Sequence, residues 1–219
     1  DHLTTEMVFA DKKKNFIHAI IWSSNILRFK NKLVEGNVYY VKKFSVEKNK
    51  DTYRVVSHNN YKIQFHLDTT VKEIIEEVAE IPRFVFELTD YEKLLEKRNK
   101  CLCDVIGVLV GVGTPQERQA NGSNVTCMEL HIEDQRKNRL NVTLWSSMIN
   151  QFEQIRFSNY SNVEVVIFTS MIVKDNRGGI SLSSSQSTKI YMDDNIVEIA
   201  DFKGSIEEAG LAPNVQLIC

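Results

Sequence analysis

The sequence predicts an all-β protein built from two copies of one small antiparallel barrel, and three observations carry that prediction. A stretch recurs at constant spacing: Ile17-His18-Ala19-Ile20-Ile21-Trp22-Ser23-Ser24 and Leu140-Asn141-Val142-Thr143-Leu144-Trp145-Ser146-Ser147 lie 123 residues apart, and Asp11, Asn15 and Phe29 match Asp134, Asn138 and Phe152 at the same offset. Both copies alternate apolar and polar residues with the period of a strand, and both break into a helix start just after the only two tryptophans. A period of that size suits one small domain plus a linker, so the chain is read as a duplication.

In order along the chain, Thr4 to Ala10 reads as a strand ending at Asp11, and Lys12 to Asn15 as a polar turn. Phe16 to Trp22 is the next strand, with Ile17, Ala19 and Ile21 on one face and Phe16, His18, Ile20 and Trp22 on the other. Ser23-Ser24 and Ser146-Ser147 are placed as helix N-caps, with Phe29 and Phe152 returning to the core. A long strand from Gly36 to Val46, a charged turn at Glu47 to Asp51, and strands at Tyr53 to Val56 and Tyr61 to Phe65 complete the first copy. Strands, one capped helix, then a hairpin is the element order of an OB-fold barrel. The second barrel has a full strand ahead of its Asp134 landmark, whereas only ten residues precede Asp11, so the first barrel is expected to lack its first strand in this sequence.

Residues 69–100 are expected to form a structured linker. Ile81-Pro82 starts an extended run, and Thr89-Asp90-Tyr91-Glu92 has the form of a capping box for a short helix. The second barrel takes residues 101–192, with a glycine-punctuated first strand from Asp104 to Val112, a polar loop from Thr114 to Asn124, and a tight turn at Asp175 to Gly179. Residues 1–68 are the first barrel, and 193–219 read as an acidic C-terminal tail, helical after Met192 and ending in Leu211-Ala212-Pro213.

The 219 residues carry a net charge of −2, but residues 1–68 hold 12 Lys and Arg against 7 Asp and Glu, a local +5, while 101–192 balance at 8 against 8. Screening limits each charge to roughly 10 Å, so a locally basic domain attracts phosphate in a slightly acidic chain. No apolar run is long enough for a membrane helix, and no signal pattern opens the sequence. The four cysteines lack zinc-site spacing and read as reduced thiols, the five histidines are scattered, and no nucleophile motif or phosphate-binding glycine loop is present. The expectation is therefore a protein without catalysis, metal, cofactor, small-molecule substrate or membrane.

Trp145 is the residue that points to a ligand. It shares its strand face with Arg139, Asn141 and Thr143, whereas Leu140, Val142 and Leu144 make the core face, so its ring is aimed away from the core. An aromatic among polar neighbours is better explained by something stacking on it than by core packing, and the same placement twice makes mere covering by a loop or the other domain the weaker explanation.

Residues 3–192 resemble the tandem central DNA-binding domains of the replication protein A large subunit, in particular its divergent plant-type members. The stretches that carry the resemblance include Ile17 to Trp22, Val38-Tyr39-Tyr40, Asn60 to Phe65, Ile81 to Leu94, Asp104 to Val108, Thr143-Leu144-Trp145 and Gly178 to Ser183. The resemblance implies single-stranded DNA crossing both barrels, with two stacking aromatics in each. It places them at Trp22 and Tyr53 in the first barrel and at Trp145 in the second, where Arg177 stands at the second aromatic position. A guanidinium can lie flat on a base but gives up part of a stacking contribution of ~1–3 kcal/mol per base. His18 stands where relatives carry arginine, a weaker phosphate contact. Lys48, Lys50, Arg54, Arg139 and Arg177 are the expected phosphate contacts. The implied role is nuclear, in replication, repair or recombination. The competing reading is an interaction scaffold for replication or repair proteins with weak or no DNA binding, favoured by the net charge and by Arg177.

Overall fold

The computed structural model describes residues 4–52, 54–56, 59–75, 81–120, 122–158, 163–176, 179–208 and 215–218. The chain divides into two compact units, residues 1–85 and 86–219.

The first unit contains β1 (Thr4–Ala10), β2 (Phe16–Trp22), α1 (Ser23–Phe29), β3 (Val38–Lys42), β4 (Ser45–Lys48), β5 (Tyr61–Phe65) and β6 (Thr70–Ile74). Four strands form a sheet in the order β1-β2-β5-β4, with β2 and β5 parallel, and β3 pairs with β6. Alternation sends Ala19, Ile21, Ile63 and Phe65 to one face, where Phe29 from α1 meets Phe65 edge-on with ring centroids 5.2 Å apart.

The second unit contains α2 (Leu94–Lys97), β7 (Cys103–Gly113), β8 (Gln116–Ala120), β9 (Ser123–Glu133), β10 (Arg139–Trp145), α3 (Ser147–Ser158), β11 (Val165–Asn176), β12 (Gly179–Ser183), β13 (Lys189–Tyr191), α4 (Val197–Glu208) and β14 (Gln216–Ile218). Strands β7, β9, β10, β12 and β11 neighbour one another in that order, and β11 pairs back onto β7 to close the barrel. One parallel pair, β10 with β12, sits among the antiparallel pairs of this barrel, which is the OB-fold arrangement. The first unit repeats this order with β1, β2, β5 and β4 in place of β9, β10, β12 and the far half of β11. Among the described residues β1 has β2 as its one hydrogen-bonded neighbour, in the position where β9 has both β10 and β7.

The duplication extends to hydrogen bonds. Asp11 accepts from the backbone of Lys13 and Asn15 at 2.8 and 2.9 Å, and Asp134 accepts from Arg136 and Asn138, both at 2.8 Å. Lys14 and Lys137 close these turns with φ of 61° and 63°. Further on, Lys43 and Ser170 both take positive φ, and their carbonyls accept the hydroxyls of Thr69 and Thr188. This kink splits the expected Gly36 to Val46 strand into β3 and β4, while β11 stays continuous with a register shift between Phe168 and Met171.

Several boundaries differ from the sequence reading. β6 lies in the expected linker, yet Thr70 to Ile74 pairs with Lys42 to Val38, so it belongs to the first unit. From Phe86 onward the linker belongs to the second: Phe86 packs edge-on against Tyr191 at 5.3 Å, and Tyr91 and Leu94 enter the barrel core. Gly107 is required by that insertion, because a Cβ there would lie 2.3 Å from the Tyr91 hydroxyl, which donates to the Ile106 carbonyl at 3.0 Å. The capping box does not form, since Thr89 bonds the Glu87 carbonyl and no side chain caps the turn at Tyr91. Nor does Ser23 cap α1; it is the first helical residue, and Trp22 holds the cap position. The expected 114–124 loop contains β8, a polar strand paired along β9. The helix expected after Met192 is α4, but the described part of residues 193–219 is packed and not a tail: Ile199, Phe202 and Ile206 recur at helical spacing and bury one face of α4, and β14 lies parallel to β7.

Candidate nucleic-acid interface

Each tryptophan closes its strand at the point where the chain turns into a helix, on the sheet face opposite the core. In the first unit that outer face carries Thr4, Glu6 and Val8 on β1, then Trp22, Ile20 and His18 on β2, then Gln64 and Lys62 on β5, by the registers Thr4↔Trp22, Glu6↔Ile20, Val8↔His18 and His18↔Lys62. In the second unit β9 presents Cys127, Glu129, His131 and Glu133 beside Trp145, Thr143, Asn141 and Arg139 of β10, with Ser183 and Ser181 of β12 beyond. On the adjoining strand Lys174 pairs with Ser181.

The two rings differ in freedom. Trp22 is 45% exposed. Trp145 is half-buried, its indole Nε1 donates to Ser183 Oγ at 2.9 Å, and its backbone N–H donates to Ser184 Oγ at 3.0 Å. Trp22 is therefore the more accessible ring, whereas the Trp145 ring is held at a set angle by Ser183.

The charged groups divide in the same way. Lys48 at the end of β4 and Lys50 beyond it are exposed. Arg54 is partly buried and donates from Nη1 to Asn60 Oδ1 at 2.9 Å, which holds it to the Asn60 turn. His18 departs from the expected phosphate contact: it is buried, and its Nε2 lies 3.2 Å from Glu6 Oε2. That hydrogen bond, with the imidazole charge and those of Lys50 and Lys62, holds the Glu6 carboxyl below its usual value against the opposing effect of burial. Alternation placed His18 on the outer face correctly, but Glu6 across the strand pair and a covering of neighbours take it out of solvent.

In the second unit Arg139 is exposed but donates from Nε and Nη2 to Glu133 Oε1 at 3.0 and 2.7 Å. Arg118 of β8 donates to Glu129 Oε1 at 2.7 Å. Asn141 is exposed between them. Burial and the Arg139 charge lower the pKa of His131, so it favours the neutral imidazole. Tyr53 and Arg177 lie outside the described residues. Lys174, exposed on this outer lane, and Arg118 were not singled out from sequence; strand parity on β11 would have exposed the first, but Arg118 needed the β8 hairpin that its polar sequence conceals.

Among the described residues no group of His, Cys, Asp or Glu is arranged to hold a metal ion, and no helix is long and apolar enough to cross a membrane.

Comparison with known proteins follows the division into units. Residues 1–97 match a family described as a domain of unknown function, DUF223, and residues 91–193 match the replication protein A OB domain family. The chain is 26% identical over 188 residues to a 70 kDa DNA-binding subunit of replication protein A from Arabidopsis thaliana, covering 84% of this chain and 24% of that protein. It is 28% identical over 196 residues to replication factor A protein 1 of Schizosaccharomyces pombe, covering 89% of this chain and 31% of that protein. The chain thus spans about a quarter to a third of the length of these relatives. Its fold is similar to that of a chain in the solved structure of a replication protein A heterotrimer bound to single-stranded DNA, with a TM-score of 0.61 and 23% identity over 98% of this chain and 52% of that one.

Proposed function

We propose that this chain, a protein of the replication protein A large-subunit type, is a non-enzymatic single-stranded DNA-binding module that acts in nuclear DNA replication, repair or recombination. The observation that carries this is the pair of equivalent tryptophans, each ending a barrel strand on the face turned away from the core, where a large aromatic gains no burial from its own unit's core. Bases stack on Trp22 and Trp145, with Tyr53 a third platform by resemblance, and phosphates meet Lys48, Lys50, Lys174, Arg54, Arg139 and Arg177. Arg139 and Arg54 must first exchange their present partners Glu133 and Asn60, so binding should be modest and should weaken with added salt. Titration with oligo-dT at low salt should quench tryptophan emission; unchanged emission at micromolar protein sinks the proposal.

A second reading has one specific observation behind it. The cations Arg118 and Arg139 on the second face are neutralised by Glu129 and Glu133, which suits a scaffold for replication or repair proteins better than a phosphate track. A Trp22→Ala, Trp145→Ala double variant separates the two. Loss of DNA binding together with loss of biological activity favours the first, whereas retained activity favours the scaffold.

A further inference from the structure

Both outer faces carry a glutamate at the same place, 123 residues apart: Glu6 on β1 and Glu129 on β9. Each lies on the strand beside its tryptophan's strand, two residues further along than the tryptophan's own partner, since Trp22 pairs with Thr4 and Ile20 with Glu6, and Trp145 pairs with Cys127 and Thr143 with Glu129. Such diagonal neighbours on one sheet face stand ~7–8 Å apart, about the reach of a base stacked on the ring. An anion there works against a polyanionic ligand, yet in both copies a side chain on a different element engages it, the His18 imidazole at 3.2 Å in the first and the Arg118 guanidinium at 2.7 Å in the second. Each of these side chains engages one carboxylate oxygen, Oε2 of Glu6 and Oε1 of Glu129, and the other oxygen of each has no hydrogen-bond partner among the described residues.

From this arrangement we infer that Glu6 and Glu129 are specificity-determining groups that accept hydrogen bonds from the exocyclic amino groups of stacked bases, cytosine N4 foremost, and so disfavour runs of thymine. The inference rests on the proposed single-stranded DNA binding. A carboxylate has acceptors alone, cytosine offers an amino donor at its pairing edge, and thymine presents carbonyl oxygens there on either side of one N–H, which a carboxylate repels. The engaging side chain, a full cation at Arg118 and a hydrogen-bonding imidazole at His18, lowers the cost of bringing the phosphate chain near, and the unengaged oxygen is the one left to meet the base.

The test compares oligo-dC and oligo-dT of equal length at pH 7.5 and low salt, by fluorescence titration of the 219-residue chain and of Glu6→Gln, Glu129→Gln and the double variant. The wild type should prefer oligo-dC by roughly three- to tenfold, the scale of a single hydrogen bond. The double variant should lose that preference chiefly by binding oligo-dT more tightly, because glutamine removes the charge and supplies a donor to thymine O4. Thermal melts of the variants keep a folding defect separate from a binding one. Equal wild-type affinities, or a preference that survives in the double variant, overturn the inference while leaving DNA binding intact. Absence of binding to either oligonucleotide overturns the binding proposal beneath it.

Discussion

Trp22 and Trp145 end equivalent strands, yet the first is 45% exposed while the second is tied to Ser183 and Ser184 across the β10–β12 pair. The difference follows from what surrounds each strand. In the first unit the residue across from Ile20 is Gln64, where the second unit has Ser183 across from Thr143, so the hydroxyl that anchors Trp145 has no counterpart beside Trp22. The cores differ as well. Among the described residues the buried cluster of the first unit is Ala19, Ile21, Phe29, Ile63 and Phe65, whereas the second closes its barrel with β7, which contributes Cys103, Val105, Leu109 and Val112. Among the described residues, one duplicated plan thus yields a unit with a smaller buried cluster, an exposed ring and exposed lysines, and a unit with a larger buried cluster, a hydrogen-bonded ring and neutralised arginines.

Equivalent core deletions should break this comparison most forcefully. Phe29 and Phe152 occupy matching places and are each 1% exposed, so truncation to alanine costs about 3–5 kcal/mol in either unit. Phe29→Ala should abolish cooperative unfolding of the first unit, and Phe152→Ala should only lower the melting temperature of the second. Calorimetry that finds the second unit lost and the first retained reverses the comparison.

The ligand-facing difference comes next in size. If the free ring stacks more fully, Trp22→Ala should weaken oligo-dT binding by more than Trp145→Ala, within the ~1–3 kcal/mol that a stacked base contributes. A larger loss at Trp145 would show that holding the ring in place matters more than exposing it.

Acid stability should separate the units more gently. Hydrogen bonding from His18 holds the Glu6 carboxyl below its usual 4.5, so the folded first unit binds this proton less readily than the unfolded chain. That stabilisation is present above the unfolded value and is lost as pH falls through the lowered one. Glu6→Gln should therefore flatten the decline of first-unit stability below about pH 4.5, measured by denaturant melts at a series of pH values. A decline as steep as in the wild type would show that the pair contributes nothing to folding.

The mildest effect concerns the thiols, which all lie in the second unit. Burial pushes the Cys103 thiol up to about 12, so peptide mapping after iodoacetamide treatment at pH 8 should find it unmodified in the native protein and alkylated once unfolded. Native labelling there would mean that the second unit opens as readily as the first.

The duplication was legible in sequence because the Asp11 and Asp134 turns, the tryptophans and the returning phenylalanines are local signals, each bonded to near neighbours or set by strand parity. Parity also put Trp22, Arg139, Asn141 and Trp145 on the outer faces. It did not disclose that His18 is covered and paired with Glu6, because Glu6 lies on another strand and its register is set only when β1 and β2 assemble. The same holds for Arg118, reached through a hairpin whose polar residues look like a loop, and for α4, whose acidic surface hides a buried face.

By itself, then, the sequence determined the all-β class, the two units, and the faces that carry the tryptophans, since these depend on period-two alternation and short-range turns. Tertiary structure alone decided where the units divide, which cations are already neutralised, and how freely each tryptophan is held. Those properties come from pairings between residues such as Trp145 and Ser183, or Arg118 and Glu129, whose meeting depends on strand register and not on distance along the chain.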